Sequence, residues 1–241
     1  MSQNHYRISK YQILKSLLRN GHLGLIFQEV RRRLYSDAYF LLLYREISLP
    51  ASIPEPKIHV ALRPMKSDDI ARLLDINQKG MKDEDVLERI RLLLLLNSGI
   101  KDCYVAETED GTPCHISWLI NSSQNEIIKS FYDEGGFPLA PSEVLVEGAF
   151  THEKYQRMGI QQWRRFKFFE KSLAMGATRV VNYVRYDNIR SLNSCNSAAY
   201  KLFKIRMDKW RFFRRSFIFK KVPEGTPYPL DHEKIADLLL S

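Results

Sequence analysis

Long apolar runs are missing from this chain. The longest, around residues 38–44 and 92–96, fall far short of the roughly 20 residues that cross a bilayer, so no membrane span is expected. Cysteine is scarce as well. Cys103, Cys114 and Cys195 are odd in number and show no metal-ligand spacing, which argues against a disulfide framework and against a zinc site. A reducing cytoplasm is the plain reading. Lys10, Lys15 and Arg19 break up any leader-like apolar core near the start, so no signal peptide is expected. Internal repeats and low-complexity segments are absent too.

What is present is uneven charge. The formal net charge is +9. Residues 1–34 carry seven Lys/Arg against Glu29 alone, a net of +6, and residues 201–221 carry nine against Asp208 alone, a net of +8. Set against the overall +9, the rest of the chain is therefore −5. An anionic partner would meet the two flanks, while the middle tolerates a cationic substrate.

Residues 8–34 read as helical, with Ile13, Leu14, Leu17 and Leu18 at helical spacing and Gly21 and Gly24 as interruptions. Pro50, Pro54 and Pro56 then make an extended linker. The expected organisation is a helical N-terminal extension over 1–50, a linker over 51–56, the main domain over 57–222 and a C-terminal tail over 223–241.

The main domain reads as a mixed α/β succession. A strand at 58–62 is followed by a helix capped by Ser67 and a longer helix over 83–96. Two strands flank Asp110-Gly111, a strong hairpin signal. A long loop is expected over 121–142, then a strand over 144–151. A helix over 161–175 should bury Trp163, Phe166, Phe169 and Leu173. A strand over 179–186, a helix from Arg190, and a basic aromatic stretch over 205–220 complete the order.

One junction stands out. Residues 151–161 link a strand to a helix through a turn that contains Gly159. The first turn of a helix leaves backbone N–H groups unpaired and carries partial positive charge, and a glycine there lets those donors approach a phosphate closely.

The sequence Gln156-Arg157-Met158-Gly159-Ile160-Gln161 resembles the pyrophosphate loop of the GNAT acetyltransferase superfamily. Asn188-Ile189-Arg190-Ser191 resembles that family's N-x-x-S/A motif, and Arg63-Pro64 with Asp68 or Asp69 its first strand-to-helix join. The resemblance covers residues 58–220 and is most specific over 150–188. It implies an acyl-CoA N-acyltransferase fold with acetyl-CoA or another acyl-CoA as co-substrate and no metal. It also implies that the backbone from Gln156 to Gln161 holds the CoA pyrophosphate. Phe150 and Thr151 would present backbone groups to pantetheine, with Asn188 and Ser191 close by. Two positions depart from the family pattern. Gln161 replaces a small residue, and Cys195 stands where many members carry a tyrosine acid, so the acid is unassigned.

Glu147 is the candidate catalytic residue. Period-two alternation places it on one strand face with Ala149 and Thr151. It is read either as the base that takes a proton from an ammonium acceptor or as the ion-pair partner of an Arg or Lys. The amine, small or protein-borne, would attack the thioester directly, because no base accompanies Cys195 in sequence. The rival reading is a non-catalytic adaptor that keeps the fold and uses its basic flanks. For the flanks, nucleic acid is disfavoured against charged edge strands. The N-terminal helix is read either as peripheral on an anionic inner-membrane surface or as packed on the domain or a partner.

Overall fold

Leu41, Leu42 and Leu43 are completely buried, and the strand that carries them lies inside the sheet, paired on both sides. The computed structural model describes residues 9–50, 52–78, 80–133 and 135–240. Its single eight-stranded sheet comprises β1 (Tyr35–Glu46), β2 (Val60–Pro64), β3 (Cys103–Thr108), β4 (Pro113–Asn121), β5 (Glu143–Thr151), β6 (Arg179–Arg185), β7 (Lys201–Arg211) and β8 (Arg214–Lys221). The order across the sheet is β2-β3-β4-β5-β6-β1-β7-β8. Among the described residues only β5 and β6 run parallel. The mixed α/β class expected from the sequence is the class observed.

The helices are α1 (Lys10–Arg19), α2 (Leu23–Leu34), α3 (Ser67–Leu73), α4 (Asp83–Asn97), α5 (Asn125–Phe131), α6 (Ile160–Ala174), α7 (Ile189–Ser197) and α8 (His232–Leu240). Phe168, Phe169, Leu192 and Ile235, from α6, α7 and α8, pack in one core with Leu41, Leu43, Val180 and Val184 of the sheet. A second core joins Ile70, Leu73, Leu92, Leu95 and Ile128, from α3, α4 and α5, to Ile116, Trp118 and Val181. The sheet is thus sandwiched by two helical layers. Helices α1 and α2 attach through Ile13, Leu17 and Leu25, which pack with Val86 of α4.

Four expectations need correcting. Residues 35–46 are a sheet strand, not the end of a helical extension. Their apolar run is continuous, and periodicity alone does not separate a buried strand from a buried helix. The stretch 121–142 is not all loop, since a short 3-10 turn, Ser122–Gln124, leads into α5. Lys66, rather than Ser67, caps α3, and the Asp69 carboxylate accepts the Lys66 N–H at 2.7 Å. On α6 it is Phe168 that joins Trp163 and Phe169 inside, while Phe166 is half-buried and Leu173 exposed. Ile8, at the start of the expected first helix, lies outside the described residues.

Candidate acyl-CoA site

The parallel pair β5–β6 is short. Glu143 faces Arg179, Val144 faces Val180 and Leu145 faces Val181, and the two strands pair no further. From Val146 onward β5 and β6 form no ladder with each other, so main-chain groups on their facing edges are left without that strand partner.

A bulge in β5 accompanies the end of that ladder. Ile116 faces Phe150 and Trp118 faces Glu147, so Gly148 and Ala149 together oppose Ser117. Gly148 has φ +64°, and a Cβ there would lie 2.5 Å from the Trp118 ring. No other residue fits this corner.

Past β5 the chain makes a 3-10 turn, Glu153–Tyr155, before α6 begins. The Gln156 side-chain amide donates to the Thr151 carbonyl at 3.3 Å, tying the turn to the strand end. Arg157 and Gly159 both adopt left-handed backbone, with φ +62° and +83°. Gly159 is the N-cap of α6, and the first turn of α6 holds no acidic residue. Successive N–H groups in such a turn, set at a helix N-terminus, form an anion-binding concavity.

An open cleft of about 200 Å³ lies at this point. Thr151, Gln156, Arg157, Gly159, Ile160 and Gln161 line it, and so do Tyr155, Gln162, Arg190 and Ser194. Two arginines, Arg157 and Arg190, are therefore among its lining residues, and among the described residues no Asp or Glu is.

Four expected residues are not among those that line the cleft, though Phe150 and Met158 are expected to offer backbone groups and not side chains. Met158 turns inward against the cluster of Val60, Ala106 and Trp163, and its carbonyl accepts the Lys57 N–H at 2.8 Å. Phe150 packs against the core that contains Trp118. Asn188 caps α7 by accepting the Ser191 N–H at 3.1 Å, so these two satisfy each other. Sequence reasoning missed Tyr155, Gln162, Arg190 and Ser194. Helical spacing would have found one pair, because residues 190 and 194 share a face of α7.

The bulge breaks the expected alternation: Glu147 lies on the sheet face of Phe150 and Trp118, opposite that of Thr151 and His115, and its carboxylate is held on both oxygens. Arg91 Nη1 donates to Oε1 at 2.6 Å, the Gly148 N–H also donates to Oε1 at 3.0 Å, and the Tyr132 hydroxyl donates to Oε2 at 2.8 Å. Burial, then the neighbouring Glu147 charge, holds the Tyr132 phenol well above its ordinary range, so Tyr132 is a neutral donor. Oε2, with one protein donor, is the oxygen with capacity to accept another proton.

On the cleft side, His115 is fully buried, its Nδ1 2.8 Å from Thr151 Oγ1, and its Nε2 has no protein partner. Burial, then the Arg164 charge, pushes its pKa well below the ordinary imidazole value, so it is a neutral ring. Burial raises the Cys195 thiol, and Asn182 Nδ2 lies 3.6 Å from its sulfur. Burial likewise pushes Tyr200 up to about 12. Among the described residues no group of three or more His, Cys, Asp or Glu is placed to hold a metal ion, and no helix is long and apolar enough to cross a membrane.

No family model matches the chain, and no curated protein does. Solved structures do match. The chain is similar to a GCN5-related glucosamine N-acetyltransferase region of a fungal multi-domain β-N-acetylglucosaminidase, at 14% identity and TM-score 0.48, over 76% of this chain and 22% of that one. It is similar to a GCN5-related N-acetyltransferase from Sphaerobacter thermophilus, at 10% identity and TM-score 0.44, over 87% of this chain and 59% of that one. A Drosophila protein matches at 13% identity and TM-score 0.46, over 80% of this chain and 59% of that one. The chain thus spans less than two thirds of the length of each of these three. Several of the matched structures are described as GCN5-related or GNAT-family acetyltransferases.

Proposed function

We propose that this chain is a GNAT-type acyltransferase that moves an acetyl or other acyl group from acyl-CoA to an amine. One observation carries the reading: a strand that bulges and ceases to pair with its parallel neighbour leads directly into a left-handed turn at a helix N-terminus bordered by two arginines. The turn suits a diphosphate, through N–H groups, the helix dipole and Arg157 and Arg190. The unpaired facing edges of β5 and β6 suit an extended amide-bearing arm such as pantetheine, which pairs with strand edges as another strand would.

In this reading the thioester lies at the bulge, where Glu147 is reached from the opposite face of the sheet. An amine near pKa ~10.4 is ammonium at neutral pH and must lose a proton before it attacks. Glu147 Oε2, directly or through a water, takes that proton. The amine lone pair forms the C–N bond and the C–S bond breaks; the nitrogen gives its second proton to the departing CoA thiolate, directly or through water, and the proton on Glu147 passes to solvent. Arg91 and the Gly148 N–H hold the carboxylate in place. Neither Cys195 nor a covalent intermediate is needed.

The test combines calorimetric titration of CoA with thiol release from acetyl-CoA across a panel of amines. CoA binding with amine-dependent release supports the reading, and absence of CoA binding by folded protein overturns it. A second reading, a CoA-binding adaptor without turnover, is favoured by the three donors already on Glu147. It forecasts CoA binding with no thiol release on any amine.

A further inference from the structure

Helix α2 exposes an apolar stripe. Leu23, Phe27, Val30 and Leu34 recur at i, i+4, i+7 and i+11, which is one face of the helix, and all four are exposed, Phe27 at 70%. The stripe continues into the β7–β8 turn. The Phe212 N–H donates to the Leu34 carbonyl at 2.8 Å and the Phe213 N–H to the Arg33 carbonyl at 2.8 Å. These hydrogen bonds fix the turn beside the helix end. Phe212 is 80% exposed and Phe213 56%, and both have left-handed backbone, φ 48° and 64°. A tight turn that carries two bulky aromatic residues in this conformation is costly where asparagine or glycine would serve.

Cations frame the stripe. Glu29 is taken up by Arg32 and Arg33, at 2.7 Å each, and these two guanidinium groups lie over the Trp210 ring. Arg31 and Arg214 flank the same surface and, among the described residues, form no ion pair; nor do Lys15 and Arg19 of α1. We propose that the α2 stripe and the Phe212–Phe213 tip form a docking surface for an anionic lipid bilayer, with the rings entering the interface and the arginines meeting phosphate headgroups. Charge complementarity selects this occupant. A second copy of the chain, docked face to face, would oppose Arg31 and Arg214 of both copies, and the stripe's one carboxylate is already neutralised. From sequence, the N-terminal helix is read either as lying on an anionic membrane surface, with Leu14, Leu17 and Leu18 inward, or as packed on the domain or a partner. The structure assigns the role to α2 instead, because Leu17 is buried against the domain.

The experiment is co-sedimentation of the full chain with vesicles of phosphatidylcholine alone and of phosphatidylcholine mixed equally with phosphatidylglycerol. Binding to the mixed vesicles only, weakened by added salt, is expected. Phe27→Asn with Phe212→Asn should lower partitioning about tenfold or more, and asparagine tolerates the left-handed turn, so the variant should fold. Arg31→Gln with Arg214→Gln should lower it about fivefold for each cation removed. CoA affinity measured without vesicles should be unchanged in both variants. No binding to mixed vesicles, equal binding to both kinds, or unchanged binding in both variants overturns the proposal. So does a wild-type dimer in light scattering that the ring variant abolishes, which would assign the stripe to self-association.

Discussion

Pro56 backs Gly159: a Cβ on the glycine would lie 3.4 Å from the Pro56 Cα. The adjacent Lys57 N–H donates to the Met158 carbonyl at 2.8 Å, so the proline linker braces the turn that shapes the cleft. Gly159→Val therefore acts from behind the loop. A β-branched residue at φ +83° is strained by about 1–3 kcal/mol and pushes on the linker. CoA affinity should fall about tenfold or more in calorimetry, with the circular dichroism spectrum unchanged. Equal affinity in a folded variant removes the turn from the CoA site.

Glu147→Gln keeps the shape and removes the base. kcat/KM should fall about 10²–10⁴-fold at neutral pH. The deficit should shrink at high pH, where the acceptor amine is already neutral, and CoA affinity should barely change. Near-normal turnover across the pH range would leave Glu147 as the ion-pair partner of Arg91.

Cys195→Ala should retain most of the acyl transfer, since the burial that raises the thiol leaves little thiolate at neutral pH. Loss of turnover in a folded variant, with an acyl group trapped on Cys195 in the wild-type mass spectrum, would establish a covalent route.

Truncation separates the two parts of the N-terminal segment. A chain lacking residues 1–34 should fold and bind CoA, because α1 and α2 pack on the outside of α4 and against β1 and β7 without entering the sheet. Removing residues 1–46 also takes out β1 and should abolish the cooperative unfolding transition. A folded 1–46 truncation would show the sheet closing without that strand.

Arg63 makes two hydrogen bonds to the buried Asp69, at 2.7 and 2.8 Å. Burial alone would raise the Asp69 carboxyl, but the Arg63 and Lys66 hydrogen bonds and the Arg63 charge hold it below its ordinary value. A depressed folded pKa gives stability that is present above the unfolded value of about 3.9 and lost as pH falls through the folded one. Asp69→Asn should cost about 3 kcal/mol in urea unfolding at neutral pH, and the difference from wild type should narrow below about pH 4. A pH-independent difference would place the effect in packing rather than charge.

The strand-to-helix junction was legible because its signals are local. A glycine that must adopt positive φ, a strand pattern before it and an amphipathic helix after it all lie within a short window. The order of elements from β2 to β8 follows from the same kind of signal, apart from α5. β1 was not legible in that way. What makes residues 35–46 a strand is two partners distant in sequence, and Leu41–Leu43 offer no periodicity to say so. The surroundings of Glu147 were equally hidden, since Arg91 and Tyr132 arrive from α4 and from just beyond α5. Asn188 and Ser191 carry a motif that does local work as a helix cap, whereas the cleft takes Arg190 and Ser194 from the same helix.

The position of β1 also has a consequence for how the chain comes into being. Leu43 pairs with Asn182 on one side and Leu202 on the other, so this strand finds both neighbours only after well over a hundred further residues have been synthesised. Until then it is a run of apolar residues with two unsatisfied edges, the kind of segment that associates with another nascent copy. Closure of so non-local a pairing is slow. Residues 35–46 therefore stay unpaired until residues 179–211 have been made, and a holding chaperone that binds exposed apolar strands would find a target there in the interval.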